Sequence, residues 1–160
     1  MAKNKIIKTN AMRILDKNKV KYTVNTYECD EFIDGITIAD KLHQSYEESF
    51  KTLVTVGKSK EHYVFVIPIH KELDLKKAAQ AVGEKSIEML PVKSIKDVTG
   101  YIRGGCTPIG MKKQFVTVIH KSVMEHDTII ISGGCIGAQI LLMPNDLINT
   151  TNGKVEDIIM

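Results

Sequence analysis

"SFKTLVTVGKSKEHYVFVIPIH", residues 49–70, holds two apolar runs separated by a short polar linker. In the first run, period-2 alternation sends Phe50, Thr52, Val54 and Val56 to one face and Lys51, Leu53 and Thr55 to the other. Neither face reads as polar, so residues 50–57 predict an inner strand. Residues 62–70 predict a second strand, and "GKSKE" between them is a hairpin signal. One residue resists this pattern: Lys51 sets an ammonium at the mouth of a strand about to be buried.

Outward from the hairpin, the spacing predicts a helix over 8–18 and a strand over 21–28 with Tyr22, Val24 and Thr26 alternating. A loop holding Asp30, Glu31 and Asp34 leads to a helix near 37–44, with Thr37 near its N-terminus. A helix over 73–82 stops at Gly83, and "IEMLPV" and a short polar stretch follow. Strands are expected at 115–120, 127–132 and 138–143. A last short helix begins at Pro144 and ends before Gly153. No linker or shift of composition divides the chain, so residues 1–160 predict a single α+β or mixed α/β domain with few helices, its sheet built largely from hairpins.

The bulk numbers fit a folded chain. It has 160 residues, 43% hydrophobic and 26% charged. A chain of this size buries roughly 68–70% of its unfolded surface, enough for a core without staples. Tryptophan is absent and aromatics are 6%, which argues against a stacking platform for single-stranded nucleic acid. The net charge of +3 permits contact with a polyanion without demanding it. The basic start carries Lys3, Lys5, Lys8, Arg13, Lys17, Lys19 and Lys21, but Ile7, Ala11, Ile14 and Leu15 form a helical stripe, so the cations read as a solvated face. No run approaches the roughly 18 apolar residues of a membrane helix, and no signal peptide is read at the start. Three cysteines, Cys29, Cys106 and Cys135, without a CxxC pair, make a reducing cytoplasm the expected compartment.

Two glycine-rich turns are the best places for chemistry. "GYIRGGCTPIGMKK" (100–113) sets Gly104 and Gly105 after an apolar stretch, with Arg103, Lys112 and Lys113 available to charge its rim. "IISGGCIGAQ" (130–139) leaves a hydrophobic strand through Ser132, Gly133 and Gly134. Adjacent glycines let backbone N–H groups converge on an anion or a carbonyl oxygen. Either turn alone reads as a tight sheet connection; two at strand ends favour a shared cleft. Neither matches a dinucleotide or phosphate loop. Lys51 reads either as a guard at a strand end or as fixed positive charge on a cleft wall. His43, His62, His70, His120 and His126 lack zinc spacing, and no metal or cofactor is called for. Cys106 and Cys135 beside glycines are nucleophile candidates, though small buried cysteines are commoner.

Taken together, "FKTLV" (50–54), "LKKAAQAVG" (75–83), "GYIRGGCTPIGMKK" and "ISGG" (131–134) resemble the YbaK/EbsC family of Cys-tRNA(Pro) deacylases, relatives of the editing domain of bacterial prolyl-tRNA synthetase. The likeness runs from about residue 10 to about 159, in the family's order and spacing. It implies a curved, mostly antiparallel sheet with flanking helices. It also implies an aminoacyl-tRNA deacylase acting on the tRNA 3′ end, with prolyl-tRNA synthetase as a partner and no cofactor. The family's essential lysine falls at Lys51, and its other pocket positions at Tyr27, Gly104 and Ser132. Gly105, Thr107, Gly133 and Arg103 are expected to bind substrate beside them. In cysteine-specific members the substrate's own thiol attacks its ester, so the pocket needs orientation more than a nucleophile. Two departures stand beside that pocket: Cys135 and Ile136 where relatives carry a basic pair, and Thr107 where many have serine. They leave open a deacylase for another small amino acid such as alanine, and a non-catalytic aminoacyl or nucleotide binder stands as the rival.

Overall fold

The computed structural model describes residues 8–29 and 31–160. Lys3, Lys5 and Ile7 of the basic start, and Asp30 of the acidic loop, lie outside the described residues. Along the chain run α1 (Asn10–Lys17), β1 (Tyr22–Thr26), α2 (Gly35–Lys41), β2 (Phe50–Gly57), β3 (His62–Pro68), α3 (Leu75–Val82), β4 (Ile87–Met89), α4 (Ile95–Thr99), β5 (Val116–His120), β6 (Ile129–Ser132), β7 (Ala138–Leu142), α5 (Pro144–Thr151) and β8 (Lys154–Glu156).

The opening hairpin is the centre of the molecule. β2 and β3 pair antiparallel with Phe50 opposite Pro68 and Val56 opposite His62, and the Gly57 N–H closes the turn on the Glu61 carbonyl at 2.9 Å. They sit inside a five-stranded sheet of order β4-β2-β3-β5-β8; a second sheet has the order β1-β7-β6. Four of the described pairings are antiparallel; β3–β5 and β5–β8 are parallel. Ser49 bridges Ile130 and joins the two sheets at the start of β2. This is the single α+β domain the sequence predicts.

Alternation explains the layering. Phe65 and Ile67 of β3 and Val118 of β5 point to one core with Ala78 and Ala79 of α3, Ile87 and Ile158. Val66 and Ile119 point the other way, to a second core with Ala11, Met12 and Leu15 of α1, Ile131, Ile140 and Leu147. β3 is thus covered on both faces, which is why it reads as an unbroken apolar run. Each of the larger apolar side chains among these, when fully buried, contributes about 1.5–3 kcal/mol. The α1 cations behave as a solvated face: Arg13, Lys17 and Lys19 are exposed, and Lys8 pairs with Asp16.

The sequence misplaces some ends. α2 is capped by Asp34, whose carboxylate accepts from the Thr37 N–H at 2.8 Å, so Thr37 receives the cap instead of supplying it, and the helix stops near His43, at φ 57. The residue that ends α5 in the left-handed region is Asn152, with Gly153 one place later. β4, α4 and β8 are three to five residues long, too short to set a period. No helix of the described residues is long and apolar enough to cross a membrane.

Candidate functional site

β2 changes neighbours along its outer edge. The Ile130 N–H donates to the Glu48 carbonyl at 2.9 Å on the β6 side, and the Leu90 N–H donates to the Val54 carbonyl at 3.0 Å on the β4 side. Between these two contacts the edge is left without a strand, and a cavity of about 560 Å³ opens there. Residues two apart present their backbone groups to the same edge of a strand. Thr52 therefore turns its N–H and C=O toward the opening, as Val54 turns its carbonyl toward Leu90. The Thr52 Oγ1 is also buried, with no hydrogen-bond partner among the described residues.

Lys51 lines this cavity from the same strand. It is half-buried, and among the described residues it makes no ion pair. Burial holds its ammonium below the usual lysine range, with the Glu72 carboxylate opposing that effect. A partly desolvated cation with no carboxylate in direct contact gains when a carbonyl, a phosphate or a forming oxyanion arrives. The lysine is a cavity-wall charge.

The two glycine turns meet. A β-carbon placed on Gly105 would lie 2.8 Å from the Cys135 Cα and 3.1 Å from its N, so the first turn rests directly on the second. Gly104 takes φ 88 and lines the cavity; Gly105 does not. The expectation of two convergent N–H groups there is corrected, because the Gly105 N–H closes its own turn on the Ile102 carbonyl at 2.9 Å. The Gly104 N–H, by contrast, meets no protein acceptor among the described residues.

Ser132 ends β6 on the cavity wall, its Oγ accepting from the Gly134 N–H at 3.4 Å. Directly across the β6–β7 pair stands Gln139, whose amide is tied reciprocally to Gln44 at 2.7 and 3.1 Å. Tyr27 follows β1, held by its N–H on the Gly137 carbonyl at 2.9 Å; burial pushes its phenol up and keeps it a neutral donor. Arg103 lies 4.0 Å over the Phe32 ring, and both line the cavity.

Lys51, Gly104, Ser132, Tyr27 and Arg103 thus share one cavity. Gly105, Thr107 and Gly133 stand behind its wall: Gly105 packs on Cys135, Gly133 on Ala138, and Thr107 is fully buried with its Oγ1 unpartnered among the described residues. The two lysines after the first turn are directed elsewhere, Lys112 to the Asp97 carbonyl at 3.0 Å and Lys113 over Phe115. Cys106 faces the cavity, but burial pushes its thiol up to about 11, and Cys135 is raised by the same cause. Neither thiol ionises readily near neutral pH.

Sequence reading missed the other lining groups: Thr52, Phe32, the Gln44–Gln139 pair, and an apolar mouth of Met89, Leu90 and Val92. Met89 and Val92 are 45% and 54% exposed, large apolar side chains left uncovered at a cavity rim. No local pattern marks them, because five separate stretches of chain bring them together.

The chain matches the aminoacyl-tRNA editing domain family over residues 36–150. It is 45% identical over 160 residues to the Enterococcus faecalis protein named "Putative Cys-tRNA(Pro)/Cys-tRNA(Cys) deacylase EbsC", covering 99% of this chain and 98% of that one. Its fold is similar to a crystal structure of a hypothetical protein, with TM-score 0.86 at 20% identity over 94% of this chain and 99% of the other. It is also similar to a crystal structure described as "a putative trans-editing enzyme for prolyl tRNA synthetase", with TM-score 0.79 at 20% identity over 97% and 99% of the two chains.

Proposed function

The chain belongs to the aminoacyl-tRNA editing domain family, and from that premise we propose that it is a trans-editing deacylase that frees tRNA(Pro) of misattached cysteine. The whole chain, 1–160, is read as one editing unit working in the cytoplasm. The observation that carries the reading is the shared cavity of Lys51, Gly104 and Ser132 in a chain 45% identical to a protein bearing that deacylase name.

The chemistry suits what the cavity holds. The ester between an amino acid and the terminal ribose is already activated, so the task is to fix the carbonyl and stabilise charge on its oxygen. The Gly104 N–H, which meets no protein acceptor among the described residues, donates to that oxygen in this reading, and the Lys51 ammonium supplies the positive field. Ser132 and Tyr27 donate to the aminoacyl group or the ribose, and Arg103 stands at the wall as a cation for the polyanion. The chain's own cavity thiol, raised to about 11, is a poor nucleophile. The substrate's cysteine thiol fills that role: its sulfur bonds to its own carbonyl carbon, the carbon–oxygen bond to the ribose breaks, and the thiol proton ends on the ribose oxygen. The products are a cyclic thiolactone and free tRNA.

With a net charge of +3, the protein holds bare tRNA weakly, and we propose that prolyl-tRNA synthetase supplies the choice of tRNA. The test is a deacylation panel on tRNA(Pro) charged with cysteine, alanine or proline, with and without the synthetase. Fastest release of cysteine supports the reading. Release of alanine in preference moves the specificity, and longer-lived esters in the protein's presence identify a binder.

A further inference from the structure

The two glycine turns that wall the cavity are separate loops, and both are pinned from behind by one short piece of chain. Thr9, the N-cap of α1, donates from Oγ1 to the Gly133 carbonyl at 2.6 Å, 124 residues away. Asn10, next along, donates from Nδ2 to the Gly110 carbonyl at 2.7 Å, 100 residues away. The fit is steric as well as polar. A β-carbon on Gly134, at φ 100, would lie 2.9 Å from the Thr9 Cβ and Oγ1. One on Gly110, at φ 79, would lie 2.9 Å from the Asn10 Nδ2 and the Tyr101 hydroxyl. Tyr101 adds a third tie within the first turn, donating to the Ile109 carbonyl at 2.6 Å.

We propose that Thr9 and Asn10 form a latch that sets the spacing between the Gly104 turn and the Ser132 turn, and so act as positioning residues for the cavity. The inference rests on the deacylase reading for its effect on rate, and on geometry alone for its effect on the turns. Gly133 follows Ser132 directly, so the Thr9 bond fixes the strand end that carries the Ser132 hydroxyl. The Asn10 bond fixes the far end of the turn that begins at Gly104. Without these ties the two turns meet, among the described residues, through packing such as Gly105 on Cys135 and Gly104 beside the Ile136 side chain, which supplies no directed bond.

Four variants separate the latch from simple stability. Thr9→Val removes the donor and the helix cap together, Thr9→Ser keeps both, and Asn10→Ala removes the second tie at an exposed site. Leu147→Ala is the control: it empties a fully buried position on α5 and lowers stability without removing a hydrogen bond to either turn. The readouts are kcat and KM for Cys-tRNA(Pro), and the rate at which iodoacetamide labels Cys135, read by peptide mass. Thr9→Val is expected to lose about tenfold or more in kcat with KM little changed, since small misplacements of reacting groups carry costs of that size. Its Cys135 is expected to label several-fold faster, by analogy with loosened turns that open more often. Asn10→Ala follows in the same direction, and Thr9→Ser and Leu147→Ala leave kcat and labelling at the wild-type level. Wild-type labelling in Thr9→Val, or changes in Leu147→Ala that match it, would overturn the latch. A wild-type protein that releases no amino acid would instead overturn the deacylase reading, and the labelling arm would still decide the latch.

Discussion

Gly105 stands so close to Cys135 that a β-carbon on it would lie 2.8 Å from the Cys135 Cα. The neighbour is main chain, which cannot swing aside as a side chain does. This contact holds two turns, 30 residues apart in sequence, as two walls of one cavity, and it gives each glycine of the first pair a different task. Gly104 lines the cavity, and its N–H meets no protein acceptor among the described residues; Gly105 makes room for the other turn.

Gly105→Ala is therefore expected to lose about 1–3 kcal/mol of stability, the usual cost of overpacking, and to lose deacylation with it. Gly83→Ala is the matched control. Gly83 has φ 75 with nothing within 4 Å of its added carbon, so only backbone strain of about 1–2 kcal/mol applies and activity persists. Urea unfolding and a release assay on both variants check this; equal activity in the two would contradict it.

The cysteines are expected to be dispensable. A thiol raised to about 11 is almost wholly protonated at neutral pH, so the Cys106→Ala, Cys135→Ala double variant retains most of the wild-type release rate. Brief iodoacetamide treatment, with the reagent removed before charged tRNA is added, tests the same point. Inactivation that substrate prevents would point to a protein nucleophile.

Lys51 is expected to set the alkaline limit of the reaction. Burial lowers its pKa below the ordinary 10.5, so its charge is lost at a lower pH than that of a solvent lysine. The Lys51-dependent rate, wild type minus Lys51→Ala, is expected to fall as pH rises, beginning below 10.5. The folded state also binds fewer protons than the unfolded chain in that window, so wild type gains stability relative to Lys51→Met as pH climbs toward 10.5. Rate and urea midpoints against pH report the two effects separately.

His120 gives an acid-side signature. It is 4% exposed, its Nδ1 accepts from the Ile158 N–H at 3.4 Å, and burial lowers its pKa below 6.5, against the pull of Asp157 and with the help of Lys121 and Lys77. As pH falls through 6.5 the unfolded chain takes up a proton before the folded one does, so stability drops and levels off below the folded pKa. His120→Gln flattens that fall. Identical slopes for the two proteins between pH 7.5 and 5 would show that another group is responsible.

The central hairpin was legible because β2 and β3 are long enough to carry a period and apolar enough on both faces to have one position in the fold. Lys51 stood out for the same reason, as a cation in a run with no polar face. The short pieces, β4, α4 and β8, carry no period; pairing with long strands or packing beside them makes them regular. The cavity itself was legible only in part. Ser132, Gly104 and the adjoining turn residues have local signals, but Gln139 becomes a cavity residue by standing across from Ser132, and Thr52 by sitting where β2 changes partner. Both facts belong to the register of the sheets, which no single segment encodes. Tyr27 came from family resemblance, since a tyrosine at a strand end has no pattern of its own.

The most direct test compares the lifetime of the ester in Cys-tRNA(Pro) alone, with wild-type protein in excess, and with Lys51→Ala in excess. The account predicts that wild type shortens the lifetime and that Lys51→Ala, shown folded by its urea transition, slows release by about 100-fold or more, the scale of losing one fixed charge at a forming oxyanion. A lifetime unchanged by wild type, or Lys51→Ala releasing cysteine as fast as wild type, would contradict it.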